Sequence, residues 1–108
     1  MKFLKHLTDV SFATDIQKQK ELWDVEGVLK IRSNQRFKFD LRPLINLRKK
    51  GHLKSKANKM VVEMNDRWII IDIEELHKYI KQNKLKKVHL DDLLSRLEWN
   101  IIIKKNKV

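Results

Sequence analysis

Basic side chains between residues 29 and 60 are the groups in this sequence best suited to bind a ligand. This segment holds 11 Lys and Arg residues and one acidic residue, Asp40, in a chain whose net charge is +11. A concentrated basic surface is typical of proteins that bind a nucleic acid, an anionic membrane surface or an acidic protein. A chain that is basic only for solubility would spread its charge more evenly. The segregation therefore predicts a polyanion-binding surface in this segment.

The first group of cations alternates with apolar residues in RFKFDLR, residues 36–42. Successive side chains of a strand point to opposite faces, so the basic residues are predicted to share one face. With two cations of the preceding segment, this predicted face comprises Lys30, Arg32, Arg36, Lys38 and Arg42. If the other face were outward, Phe37 and Phe39 could stack on unpaired bases. The burial preference of aromatic residues favours the core for both.

The second group of cations lies at the predicted end of a short helix and along the following loop. Its members are Arg48, Lys49, Lys50, His52, Lys54, Lys56 and Lys59. Cations near a helix carboxyl end are favourable by about 0.3–1 kcal/mol, which accounts for only part of the group. The remainder is expected to contact phosphates. The chain has 19 lysines and 6 arginines, and lysine suits backbone contact whereas bidentate recognition of guanine favours arginine, so weak sequence specificity is predicted.

A catalytic interpretation has weaker support in the sequence. Asp40, Glu63 and Asp72 lie on three predicted strands and could converge on a divalent metal, but Asp72 is already explained as a helix cap. The four histidines have no zinc-ligand spacing, although His52, beside lysines, could act as the general acid or base of a metal-independent ribonuclease. We therefore expect a protein without catalytic residues, metal or cofactor.

The amino-terminal half predicts one helix and one β-hairpin. Val10, Ala13 and Ile16 have helical spacing, which predicts a helix over 9–23. The segments VLKIRS and RFKFDLR predict two strands. A three-residue loop, 33–35, would pair Ile31 with Phe37 and keep one face uniformly apolar, whereas a two-residue loop would not.

The carboxyl-terminal half predicts a second hairpin and further helices. A short helix is expected over 43–50, followed by an exposed basic loop over 52–59 and a hairpin with its turn at Asn65 and Asp66. Asp72 is expected to cap the next helix, which is followed by a basic connector over 84–87. A last helix over 89–97 and a strand from Trp99 complete the pattern. The three tryptophans stand at the ends of apolar runs and are expected at the margins of the core.

Together these elements predict one α+β domain over residues 1–108, with the last few residues disordered. Its antiparallel sheet would have four or five strands built from two β-hairpins, with helices packed on one face and the other face left for water or a ligand. No apolar run approaches the roughly 20 residues that span a bilayer, and the amino terminus lacks the pattern of a signal peptide. A cytoplasmic location without membrane association is therefore expected.

The leading functional prediction is a non-enzymatic protein that binds RNA or DNA through the phosphate backbone. The alternative is a small protein-interaction module, an inhibitor or assembly factor, that docks its basic surface on an acidic partner. Either ligand would complement the same charge. The sequence pattern does not choose between RNA and DNA, between single and double strands, or between oligomeric states.

Overall fold

A computed structural model of the chain describes residues 2–31, 35–43, 56–84 and 94–105. In chain order the elements are an amino-terminal 3-10 helix (Lys2–His6), β1 (Leu7–Phe12), α1 (Asp15–Lys20), β2 (Val25–Leu29), β3 (Arg36–Pro43), β4 (Lys59–Glu63), β5 (Arg67–Asp72), α2 (Ile73–Asn83) and β6 (Asn100–Lys104). The fold is thus α+β, as the sequence predicts. Within these ranges, no helix is long and apolar enough to cross a membrane.

One six-stranded sheet contains all of these strands in the order β1-β2-β3-β4-β5-β6. Every neighbouring pair is antiparallel except β3 and β4, which run parallel. The prediction of a purely antiparallel sheet with four or five strands was therefore wrong. Parallel neighbours need a connection that crosses back along the sheet, and residues 44–58 form the connection between β3 and β4.

The helix predicted over 9–23 was wrong at both ends, because residues 7–12 form β1 and α1 extends only over Asp15–Lys20. Between the pairs Thr8–Val28 and Ser11–Glu26, β1 has one residue more than β2. This bulge, in which Asp9 has a φ of 54°, interrupts the two-residue alternation of the strand. Val10 lies in this strand, although its spacing to Ala13 and Ile16 is helical. Helix α1 begins only after its cap, Thr14.

The hairpin of β2 and β3 keeps the predicted apolar face but has a different register. Phe37 pairs with Gly27 and Phe39 pairs with Val25, so the predicted pairing of Phe37 with Ile31 was wrong by four residues. An even shift leaves every side chain on its predicted face. Phe37 and Phe39 accordingly lie in the core, while Ile31, beyond the end of β2, is 58% exposed.

The second hairpin and the helix after it confirm the sequence prediction. Strands β4 and β5 pair across a turn at residues 64–66. Asp72 caps α2 by accepting a hydrogen bond from the Glu75 backbone N–H at 3.0 Å. Ile73 and Leu76 of α2 are buried. The last predicted strand corresponds to β6.

Both faces of the sheet contribute to a hydrophobic core. On one face, side chains of β4 and β5 pack with α2 in a cluster of Ala13, Trp23, Ala57, Met60, Val62, Ile69, Ile71, Ile73, Leu76 and Leu97. On the other, the 3-10 helix covers a cluster of Phe3, Leu7, Val25, Leu29, Phe37, Phe39, Val61, Trp68 and Ile70. The expectation that this second face is left for water or a ligand was therefore wrong.

Several predicted segments fall wholly or partly outside the described residues. These are most of the loop over 33–35, most of the helix over 43–50, the first part of the basic loop over 52–59, most of the connector over 84–87, the start of the helix over 89–97 and the terminus at 106–108. At their described ends, position 43 closes β3, residues 94–96 are helical, and Lys84 ends α2 in a left-handed conformation.

Candidate nucleic-acid interface

The twelve residues predicted to bind nucleic acid divide equally between described and undescribed parts of the chain. Outside the described residues lie Arg32, Arg48, Lys49, Lys50, His52 and Lys54. The described members are Lys30, Arg36, Lys38, Arg42, Lys56 and Lys59. Their positions separate cations that can meet a ligand at the surface from cations that the fold itself uses.

Arg36 is partly exposed and stabilises the bulge of β1. Its guanidinium lies 2.8 Å from the Asp9 carboxylate and 3.3 Å from that of Glu26, and it also donates to the Asp9 backbone carbonyl at 2.6 Å. The side chain is 34% exposed. Surface ion pairs of this kind contribute little to stability, so Arg36 can exchange partners at low cost.

Lys38 and Lys56 lie close together beside Glu21. The Lys38 ammonium is 3.9 Å from the Glu21 carboxylate and 5.1 Å from the centre of the Trp23 ring. The Lys56 backbone N–H donates to the Glu21 carbonyl at 2.7 Å. The turn before β4 therefore brings an exposed lysine of the basic loop next to the basic residues of β3.

Arg42 lies inside the molecule, although the sequence placed it on an exposed basic face. It donates to the Asp40 carboxylate through Nε at 3.0 Å and through Nη2 at 2.8 Å. The side chains of Arg42 and Asp40 are 3% and 2% exposed. A buried charge needs a partner, and Asp40 supplies one. The accessible basic face of β3 therefore consists of Arg36 and Lys38 among the described residues.

Lys59 is the first residue of β4 and is buried, so its prediction in an exposed loop was wrong. Its ammonium lies 2.6 Å from the Asp72 carboxylate and 3.6 Å from the centre of the Trp99 ring. A cavity of about 230 Å³ adjoins this ion pair. The aromatic contact is a cation–π interaction, which partly replaces the lost hydration of the lysine.

Lys30 is exposed at the opposite end of β2 from Glu21. Its backbone N–H donates to the His6 carbonyl at 2.9 Å. Among the described residues, neither Lys30 nor Lys56 has a carboxylate within ion-pair distance. The positive charges of these two lysines are therefore available to an external partner.

The three carboxylates considered for metal binding do not converge. Each pairs with a different cation: Asp40 with Arg42, Asp72 with Lys59, and Glu63 with Lys105. The strand register also places Asp40 and Glu63 on opposite faces of the sheet. Within the described ranges, no group of three His, Asp or Glu side chains could hold a metal ion.

The rings of His6 and Trp68 form an edge-to-face contact that the sequence pattern did not indicate. Their ring centres are 5.1 Å apart, and both His6 Nε2 and Trp68 Nε1 are buried with no hydrogen-bond partner among the described residues. Burial, followed by the charges of Lys5 and Lys30, lowers the pKa of His6 below 6.5. The two residues are far apart in sequence, and only the pairing of β1 through β5 brings them together.

Comparison with protein-family models, with curated proteins and with solved structures gives no significant match to this chain.

Proposed function

We propose that this protein binds nucleic acid without catalysing a reaction on it, and that its basic surface contacts the phosphate backbone with weak sequence specificity. The observation that carries the proposal is the segregated charge of residues 29–60, with 11 basic residues against one acidic residue. That acidic residue, Asp40, is buried in its pair with Arg42. It is therefore unable to neutralise the other cations of the segment.

Contacts of the described cations support an accessible binding surface. Arg36 and Lys38 are partly exposed, and their carboxylate partners come from other parts of the chain. Lys30 and Lys56 are exposed and, among the described residues, have no ion-pair partner. Phosphates can replace water and weak surface partners around such groups, and the released counterions then favour binding.

The first experiment measures how the binding of DNA and RNA, each single- and double-stranded, depends on salt concentration. If six to eight phosphates of duplex DNA are contacted, log affinity should fall against log salt with a slope of about −5 to −7. Parallel measurements with and without magnesium would reveal any turnover of the nucleic acid. A flat salt response, or no binding at low salt, would contradict the proposal.

The second experiment replaces the four lysines of the basic segment together: Lys49, Lys50, Lys54 and Lys56, each to Gln. We expect weaker binding of all sequences alike and a shallower salt dependence. For each phosphate contact that is lost, binding to the nucleic acid releases about 0.9 fewer counterions. The matched control carries the same loss of charge at four exposed lysines elsewhere: Lys18, Lys20, Lys78 and Lys104. Equal weakening in both variants would show that net charge, and not this segment, determines binding.

A pull-down separates this proposal from the alternative, an acidic protein partner. Nucleic acid that co-purifies with the chain should be lost after nuclease treatment, together with any protein bound through it. An acidic protein that stays bound after the same treatment would favour the protein-interaction module.

A further inference from the structure

Within the described part of the chain, two buried ring nitrogen atoms at the 3-10 helix have no hydrogen-bond partner: Nε2 of His6, the last residue of that helix, and Nε1 of Trp68. Trp68 is 1% exposed, so water does not solvate its indole N–H at the surface. A buried donor without an acceptor costs roughly 1–3 kcal/mol. An incoming acceptor at this position would recover that cost.

Positive charge surrounds the two nitrogen atoms. The Lys5 ammonium is 5.9 Å and the Lys105 ammonium 5.0 Å from the centre of the Trp68 ring. Lys5 and Lys30 both contribute to the lowered pKa of His6. Lys105 is paired with Glu63 at 3.1 Å, whereas Lys5 and Lys30 have no carboxylate partner among the described residues.

Packing holds this arrangement in place before any ligand arrives. Phe3 is fully buried, with its ring centre 6.1 Å from Trp68 and 5.7 Å from Phe39. The hydrogen bond from the Lys30 N–H to the His6 carbonyl ties the end of the 3-10 helix to the end of β2. A rigid site loses little conformational entropy on binding.

We propose that Lys5, His6, Lys30 and Trp68 form a binding site for one phosphate group. The indole N–H of Trp68 and the imidazole of His6 donate to phosphate oxygens, and the two ammonium groups balance the charge. A phosphate has enough acceptor oxygens to satisfy several converging donors at once. Lys5 is exposed, so its ammonium group is free to reorient towards a bound phosphate.

The phosphate can come from a nucleic-acid strand or from free phosphate, and only the first source rests on the function proposed above. We will call the four residues the phosphate cluster. Because Lys30 also belongs to the basic segment, a strand bound there would reach the cluster at the end of β2.

Nuclear magnetic resonance of the full chain tests the site directly, through the indole N–H signal of Trp68 and the imidazole signals of His6. Inorganic phosphate is titrated first, followed by one oligonucleotide with and without a 5′-phosphate. Phosphate should shift the Trp68 N–H signal and raise the measured pKa of His6, because the anion stabilises the imidazolium. Trp68→Phe assigns the indole signal and should weaken binding by removing one donor.

The double variant Lys5→Gln with Lys30→Gln changes only exposed side chains. It therefore tests the site without altering the core, unlike Trp68→Phe. It should weaken phosphate binding by roughly tenfold or more, since it removes both unpaired cations. The control, Lys18→Gln with Lys78→Gln, loses the same charge at exposed positions elsewhere and should bind phosphate as the unchanged chain does.

The possible results separate the two proposals. If phosphate leaves the Trp68 and His6 signals unchanged, or if both lysine variants bind it equally, the phosphate cluster is refuted even where oligonucleotides bind. If phosphate shifts both signals but no oligonucleotide binds, the cluster stands and nucleic-acid binding fails. A 5′-phosphate that strengthens the shifts would assign the site to a strand end, and equal shifts without it would assign it to the backbone.

Discussion

Two of the cations predicted to bind a ligand are instead buried in ion pairs within the fold. Arg42 and Lys59 occupy strand positions whose side chains point into the protein, and each is paired with a carboxylate, Asp40 or Asp72. Their sequence context is the same as that of the exposed cations around them. What separates the two groups is tertiary packing, because the side chain at a given strand position is exposed only if nothing covers that part of the sheet.

We expect the substitution Arg42→Met to destabilise the protein by about 3–5 kcal/mol, because it leaves the buried Asp40 carboxylate without its partner. Urea denaturation would measure the loss. The control is Arg36→Met, in which a partly exposed arginine of the same strand loses surface ion pairs and its hydrogen bonds to Asp9 and Ser11. That change should cost less than about 1 kcal/mol. Equal costs would mean that the Asp40–Arg42 pair contributes no more than a surface pair.

His6 should make the stability of the protein depend on pH. Burial first, and Lys5 and Lys30 after it, hold its pKa in the folded state below 6.5, so the folded state binds the proton less readily than the unfolded chain. The contribution of neutral His6 to the free energy of unfolding is therefore fully present above pH 6.5. It is lost as the pH falls and the unfolded chain takes up the proton. Uptake of one proton can change the free energy of unfolding by at most about 1.4 kcal/mol per pH unit.

Urea midpoints measured between about pH 5 and pH 8 would reveal this dependence, and His6→Gln should reduce it. His77→Gln provides the control, since it removes a histidine of α2 that lies away from the 3-10 helix. An unchanged acid slope in His6→Gln would assign the effect to other groups.

At the level of secondary structure, Glu75 joins helix α2 to the last strand. Its two carboxylate oxygens accept hydrogen bonds from the backbone N–H groups of Glu98 and Trp99, at 2.9 and 3.0 Å. Asp72 and Glu75 have the sequence spacing of a capping box. The carboxylate instead binds the chain that enters β6, a contact that local sequence does not encode.

Replacing Glu75 with Ala should loosen β6 more than the remainder of the sheet. We expect faster amide hydrogen exchange at Ile101 and Ile103, with a loss of global stability of about 1–3 kcal/mol. The control is Glu74→Ala, which removes an exposed carboxylate from the same helical turn. Similar exchange in both variants would exclude the Glu75 contacts as the cause.

The errors in the secondary-structure prediction have specific physical causes. Strand β1 was missed because its bulge at Asp9 disrupts the alternation of apolar residues. The pairing of Phe37 with Gly27 could not be read from the hydrophobic pattern, because pairings that differ by two or four residues keep the same face apolar. Strand β5 and helix α2 were predictable, since a continuous apolar run and an aspartate cap are local signals.

For the molecule as a whole, the sequence established an excess of positive charge but not which cations are accessible. Long-range pairing decides that, as the contacts of Lys38 with Glu21 and of Arg36 with Asp9 illustrate. The phosphate cluster was equally hidden, because His6 and Trp68 meet only after five strands have assembled.

A net charge of +11 should make the folded state less stable at low ionic strength, because the compact chain repels itself. The urea midpoint should therefore rise as sodium chloride increases from about 20 to about 300 mM, where screening shortens the Debye length. The variant with glutamine at positions 49, 50, 54 and 56 lacks four of these charges and should show a smaller rise. An identical rise would mean that these lysines take no part in the repulsion.

The parallel contact between β3 and β4 divides the sheet into two halves that follow each other along the chain. Strands β1–β3 and strands β4–β6 are each antiparallel throughout, so a single parallel ladder joins two three-stranded units within the sheet. The hairpins β2–β3 and β4–β5 pair residues at most 14 and 13 positions apart, whereas paired residues of β3 and β4 are 20 positions apart, and short loops close first. The two halves, expressed as separate peptides cut between residues 50 and 51, should therefore reassemble on mixing, and recovery of the native circular dichroism spectrum would demonstrate fragment complementation.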